Sequence, residues 1–171
     1  IDLKIGIAMI IGIMCTVFVS YIMGEKCIKL SAIREKYYLE MSEKINDSFG
    51  NLMNIYLNNE TNREIKKNES INLKHTESFT KQLLLTKKMV GILSAISVST
   101  FIIILIITYN SLLKQKITST YFISIVIILI YYLGYLLKIA NNIPWFLSRI
   151  GIVKNSEDFL NNILVNTEII N

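Results

Sequence analysis

The sequence predicts an all-α membrane protein: three transmembrane helices with long cytoplasmic helical extensions. Three observations carry this. The hydrophobic residues, 52% of the chain, are gathered into blocks with the charges between them. Three of those blocks run 19, 21 and 21 residues without a charge. The 171 residues include a single Pro, so little interrupts a helix.

The first block, residues 5–23, reads IGIAMIIGIMCTVFVSYIM; the second, 89–109, reads MVGILSAISVSTFIIILIITY; the third, 117–137, reads ITSTYFISIVIILIYYLGYLL. A hydrocarbon core of ~30 Å takes ~20 helical residues to cross. A central Lys or Arg opposes insertion by about 3 kcal/mol, whereas each Leu, Ile, Phe or Val favours it by about 0.3–0.6. The blocks hold none of the costly residues. Three lone strands cannot close a barrel and would leave backbone groups unpaired in lipid, which leaves helices. Asp2 and Lys4 precede the first block, Lys87 and Lys88 the second, and Lys138 follows the third. Tyr109, Tyr121, Tyr135 and Trp145 lie near block ends, where amphipathic rings favour the headgroup level. Tyr131 and Tyr132 lie deeper and are expected to face other helices, where their hydroxyls find partners. Ser94, Ser97, Ser99 and Thr100 are expected to hydrogen-bond within or between helices.

Orientation follows from the flanking cations. Lys26, Lys29, Arg34 and Lys36 on one side and Lys74, Lys81, Lys87 and Lys88 on the other mark the long middle segment, 24–88, as cytoplasmic. The seven-residue connection 110–116 then lies outside, and the C-terminal end, with Lys138, Arg149 and Lys154, returns to the cytoplasmic side. Glycosylation triplets at Asn46, Asn59 and Asn68 do not oppose this, because sixteen asparagines give a few such triplets by chance.

The middle segment has no Pro and only Gly24 and Gly50. Ile33, Tyr37, Met41, Ile45, Phe49 and Met53 recur every fourth residue, one apolar stripe on a helix that continues the first span. Ile65, Leu73, Phe79, Leu83 and Leu84 form a looser stripe leading back to the second span. The polar run Asn58-Asn59-Glu60-Thr61-Asn62 between them is the predicted reversal. The segment is therefore a helical hairpin whose apolar stripes need each other and further helices. After the third span, Phe146, Ile150, Val153, Phe159, Leu160 and Ile163 mark a cytoplasmic helix over 145–164, with Pro144 as its kink point.

The net charge of +5, with no compact basic cluster, gives no footprint for nucleic acid. Cys15 and Cys27 fit neither a disulfide framework nor metal-ligand spacing. His75 has no Cys or second His near it and reads as a solvated side chain. Glu40, Glu43 and Asp47, interleaved with Lys36 and Lys44, read as an ion-paired surface. No catalytic, cofactor-binding or metal-binding residue is predicted. The first residue is Ile, so the native start is expected upstream, and no signal peptide is visible.

The order of elements resembles the C-terminal half of a type I ABC exporter transmembrane domain: fourth span, second intracellular loop, fifth span, short outer loop, sixth span. Leu3-Lys4-Ile5 is similar to the family's opening of the fourth helix. Ile45-Asn46-Asp47-Ser48 and Ile55-Tyr56-Leu57-Asn58-Asn59-Glu60 resemble its acidic and apolar loop stretch. Glu60 stands at the recurrent acid, Ile55 at the apolar position, and Asp47 or Asn46 at the first acid. Lys116-Ile117-Thr118 resembles the start of the sixth helix, and 150–164 the stretch that leads toward a nucleotide-binding domain. The chain departs from the pattern at Thr120 and Asn51, where the family often has Gly.

The resemblance implies that Tyr56, Leu57, Asn58, Asn59, Glu60, Thr61, Asn62 and Arg63 form a short coupling helix that docks on a nucleotide-binding domain. It also implies a second transmembrane half, as a homo- or heterodimer, and a lipid bilayer as surroundings. The chain has no G-x-x-x-x-G-K-[ST] phosphate loop, so ATP and Mg2+ are expected only in a nucleotide-binding domain outside it. The rival reading is a membrane signalling or scaffold protein with a cytoplasmic coiled-coil hairpin and no transport activity.

Overall fold

A computed structural model of the chain describes residues 3–168, without the side chains of residues 158, 159 and 161–168. The described residues form four helices and no strand: α1 (Leu3–Gly50), α2 (Leu52–Leu57), α3 (Thr61–Leu113) and α4 (Ser119–Glu168). Three of them are long and apolar enough to cross a membrane, with mean hydropathies of 2.4, 2.7 and 2.2 over their most apolar stretches. The first two apolar blocks lie inside α1 and α3, and the third lies inside α4 from Ser119 on.

The helices belong to two compact units. One comprises residues 1–25 and 86–146, the other residues 26–85 and 147–171. The first unit holds the three apolar stretches. Its core is Ile5, Ile104, Ile125 and Leu129, with Ala8, Met9, Phe101, Ile107 and Tyr132 packed against them. Gly12 lets α1 approach α3 closely: a Cβ there would sit 2.6 Å from the Thr100 methyl carbon. The Tyr132 hydroxyl donates to the Met9 carbonyl at 3.0 Å, bringing α4 to α1. Tyr131 instead points away from the other helices, 68% exposed. Neighbouring residues on a helix are separated by about 100°, so only one of the two rings can face inward.

Hydroxyls within this unit turn to their own helix. Thr16, Ser97, Thr100 and Thr108 are buried, and each donates to the carbonyl four residues back. An apolar surrounding leaves a hydroxyl no water, and the near carbonyl is the partner always in reach.

The second unit is built differently. Its buried side chains include Cys27, Ser31, Ser78 and Gln82, while the apolar stripes of both arms are exposed or half-buried. Small and amide side chains therefore fill the buried helix contacts, while Ile45 and Phe49 of one stripe and Ile65 of the other line an open cleft between the arms. His75 is not a free solvated side chain: its ring lies 5.9 Å from that of Tyr38 and 6.3 Å from that of Phe79.

Helix ends differ in detail from the sequence expectation. α4 starts at Ser119, not at residue 117, because Thr118 caps it. The Thr118 carbonyl accepts from the Phe122 N–H at 3.0 Å and its hydroxyl oxygen from the Tyr121 N–H at 3.3 Å. A threonine oxygen at this place satisfies a donor that the first helical turn leaves open. At the other end, no separate helix begins at Trp145. α4 stays helical through Pro144, whose ring is fully buried. Proline removes only the one bond to the carbonyl of Ala140, and packing holds the remainder. Phe159 and Ile163, apolar positions of the expected last helix, lie outside the described side chains.

Candidate functional site

The hairpin reverses where the polar run predicts. α1 ends at Gly50, and Asn51 marks a shallow break: its N–H still reaches the Asp47 carbonyl at 3.0 Å, and its side-chain amide donates there too at 3.1 Å. α2 follows, and its end is closed by two bonds. The Asn59 N–H donates to the Tyr56 carbonyl at 3.2 Å and the Glu60 N–H to the Ile55 carbonyl at 3.0 Å. Asn59 has φ 56°, the left-handed conformation that this closure needs and that Asn tolerates better than most residues. Glu60 then opens α3, its carbonyl accepting from the Arg63 and Glu64 N–H groups at 3.0 and 3.1 Å.

The eight expected docking residues fall on three elements. Tyr56 and Leu57 end α2, Asn58, Asn59 and Glu60 form the turn, and Thr61, Asn62 and Arg63 start α3. The short helix thus covers 52–57, not 56–63. All eight side chains are exposed. Arg63 and Glu60 pair at 3.2 Å in the open, where an ion pair contributes at most about 1 kcal/mol. Tyr56 and Leu57 are 78% and 76% exposed, and with Leu52 and Met53 they give α2 an apolar surface. Each such side chain contributes about 1.5–3 kcal/mol when a partner covers it fully.

Under the tip lies an open cleft of about 260 Å³, lined by Ile45, Phe49, Leu52, Ile55 and Ile65 together with Ser48, Thr61, Glu64 and Asn68. Its polar wall ties the two arms together. The Ser48 hydroxyl donates to the Glu64 carboxylate at 3.0 Å, and the Asn68 amide donates to the Ser48 oxygen at 3.1 Å. Lys67 lies 3.7 Å from the same carboxylate. Glu64 also sits in the first turn of α3, where the helix dipole favours a negative charge. Sequence reasoning missed this tie; periodicity reports apolar faces and is silent about which polar residues meet.

A second polar cluster, equally unmarked in the sequence, joins α1, α3 and α4 within the second unit. Gln82 donates through Nε2 to the Ser31 oxygen at 2.9 Å and the Ser148 oxygen at 2.8 Å. Its Oε1 accepts from Arg34 at 3.0 Å, and the Ser31 hydroxyl donates to Ser148 at 3.1 Å. Gly151 permits the approach. A Cβ there would collide with the Ile28 carbonyl oxygen and lie 2.8 Å from the Ser31 Cβ.

Farther along the hairpin, the Lys81 ammonium donates to the Glu77 carboxylate at 2.7 Å and holds its pKa below the ordinary carboxylate value. The arrangement offers contact: an exposed apolar tip rimmed with amides, on arms joined at their ends by polar ties. No family model matches the chain, and no curated protein matches its sequence.

Proposed function

We propose that this chain is part of the membrane-spanning domain of an ATP-driven exporter of the type I ABC kind. It forms part of the translocation pathway and couples closure of nucleotide-binding domains to alternating access. The observation that carries this reading is the element order. Two long helices each join an apolar stretch to an arm of one hairpin, and a separate six-residue helix with an exposed apolar surface stands at its tip. The third long helix follows the second after a connection of a few residues.

In this reading the tip docks on a nucleotide-binding domain through Tyr56, Leu57 and the residues up to Arg63, and the hairpin and C-terminal end are cytoplasmic. ATP and Mg2+ belong to that domain, and a second transmembrane half completes the pathway. The coding sequence after residue 171 tests it. A phosphate loop followed by an L-S-G-G-Q-type helix start is the expected result. A stop codon, with no separately encoded ATPase that binds the chain, removes the motor and the proposal with it.

A second reading, a membrane scaffold whose hairpin pairs with other helices, is favoured by one observation. Ile33, Leu39 and Ile45 on one arm and Leu73, Phe79 and Leu83 on the other are exposed. A hairpin that captures a helical partner in the absence of any ATPase separates the two readings.

A further inference from the structure

An open groove of about 400 Å³ runs along α4 in the first unit, lined by Tyr135, Lys138, Ile139, Asn142, Ile143 and Phe146. The spacing alternates three and one, so all six residues share one helix face. At ~1.5 Å per residue the groove is ~16 Å long. Its chemistry is mixed in a particular order. A phenol and an ammonium come first, then Ile139, the Asn142 amide, Ile143 and Phe146, and no carboxylate lines it.

Lys138 is exposed and has no ion pair among the described residues, unlike Lys44, Lys67 and Lys81, each within 4 Å of a carboxylate. It is also the first charge after the uncharged stretch 117–137, at the level where the hydrocarbon gives way to a headgroup layer of ~5–7 Å. On the same helix face, four and seven residues before Tyr135, Tyr131 and Ile128 are exposed. The face therefore offers an apolar track, Ile128, Tyr131 and Tyr135, that leads from the uncharged stretch to an unpaired cation and an amide donor.

We infer that this groove holds an anionic phospholipid, its phosphate on the Lys138 ammonium and the Asn142 amide, one acyl chain running over Tyr135 toward Tyr131 and Ile128. The inference rests on α4 crossing a membrane and is independent of ATP coupling. A long lysine stem lies along apolar surface while its head stays with the phosphates, which suits this position. The occupant is a lipid because the polar groups and the apolar track are continuous on one face, and a free phosphate would use only the first.

Trp145, the single tryptophan of the chain, is 61% exposed beside Phe146 and reports on this place. The full chain is reconstituted in phosphatidylcholine vesicles containing either phosphatidylglycerol or phosphatidylcholine brominated near the headgroup, and quenching of Trp145 is followed. One lysine at an anionic surface gives about a fivefold preference, so brominated phosphatidylglycerol should quench at about a fifth of the mole fraction. Lys138→Gln should abolish that preference, and Lys138→Arg should keep it. Lys114→Gln, in the connection at the other end of α4, should leave it unchanged. Equal quenching by the two lipids in the unaltered chain, or a preference that survives Lys138→Gln, overturns the site. Quenching by neither lipid means that the part of α4 around Trp145 does not meet a bilayer headgroup layer, which overturns the site.

Discussion

Gln82 shows how much of the second unit hangs on single side chains. It gives two hydrogen bonds and accepts one, reaching residues 51 and 66 positions away. An unsatisfied buried polar group costs about 1–3 kcal/mol. Gln82→Leu removes one partner each from Ser31, Ser148 and Arg34, which keep the Ser31–Ser148 bond and the Glu35 carboxylate, and should therefore lower stability by about 1–3 kcal/mol in denaturant titration. Gln82→Glu keeps an acceptor for Arg34 and for the serine hydroxyls and should fall between. Gly151→Ala should also destabilise, by about 1–3 kcal/mol, because its methyl meets a backbone carbonyl rather than a flexible side-chain end. None of this was legible beforehand. A glutamine before three leucines reads as the polar edge of a helix, and nothing in the spacing joins positions 31, 82 and 148. The Glu77–Lys81 pair, four residues apart, is of the local kind that sequence does carry. With the Glu77 pKa lowered in the folded chain, the pair's contribution is present above the ordinary carboxylate value and disappears as pH falls through the lowered one. Carboxyl NMR titration should show this, and Lys81→Gln should return the Glu77 midpoint upward.

The two connections between long helices are the same device. α3 ends as α2 does. The Gln115 N–H donates to the Leu112 carbonyl at 2.9 Å and the Lys116 N–H to the Ser111 carbonyl at 3.0 Å, with Gln115 at φ 55°. Both ends thus place a residue other than glycine in the left-handed region. A glutamine held there is opposed by about 1–2 kcal/mol of backbone sterics, and a glycine is not. Gln115→Gly should raise stability by about 1 kcal/mol, and Gln115→Val should lower it by at least as much. Thermal unfolding in detergent measures both. The contrast also explains which turn the sequence revealed. The run from Asn58 to Asn62 announces a reversal by its polarity, and Asn59 then takes the left-handed backbone that Asn tolerates. Gln115 announces nothing, and only the shortness of the connection located the second turn. The break at Asn51 was silent for a related reason: it keeps the hydrogen bonds from Asn51 to Asp47 and from Ile55 to Asn51, so no strong breaker is needed.

At the scale of the molecule, the apolar blocks were fully legible because length and composition alone decide whether a helix can cross a bilayer. What covers them was not. Only 17–22% of each long apolar stretch is buried within the chain, so most of that surface meets lipid or other helices. The hairpin stripes raise the same question outside the apolar stretches, and the proposed coupling answers it in a testable way. If the arms transmit motion from a docked ATPase, the continuity of α1 matters far from the apolar stretch. Ile45 lies 22 residues beyond the end of the first uncharged block and five residues before α1 ends, in the unbroken part of the helix that leads to the tip. Proline at this position removes the bond to the Met41 carbonyl and clashes with it, a cost of about 3 kcal/mol or more confined to that turn. Insertion depends on residues 5–23, which Ile45→Pro leaves untouched. The variant, expressed with its ATPase partner, should therefore resist carbonate extraction as the unaltered chain does while ATP-driven transport is lost. Transport at the unaltered rate would sink the lever idea, since a hairpin broken between its tip and the apolar stretch could not be the element that conveys closure. Loss of both insertion and transport would mean that the arm is needed to build the membrane unit, a structural role and not a coupling one.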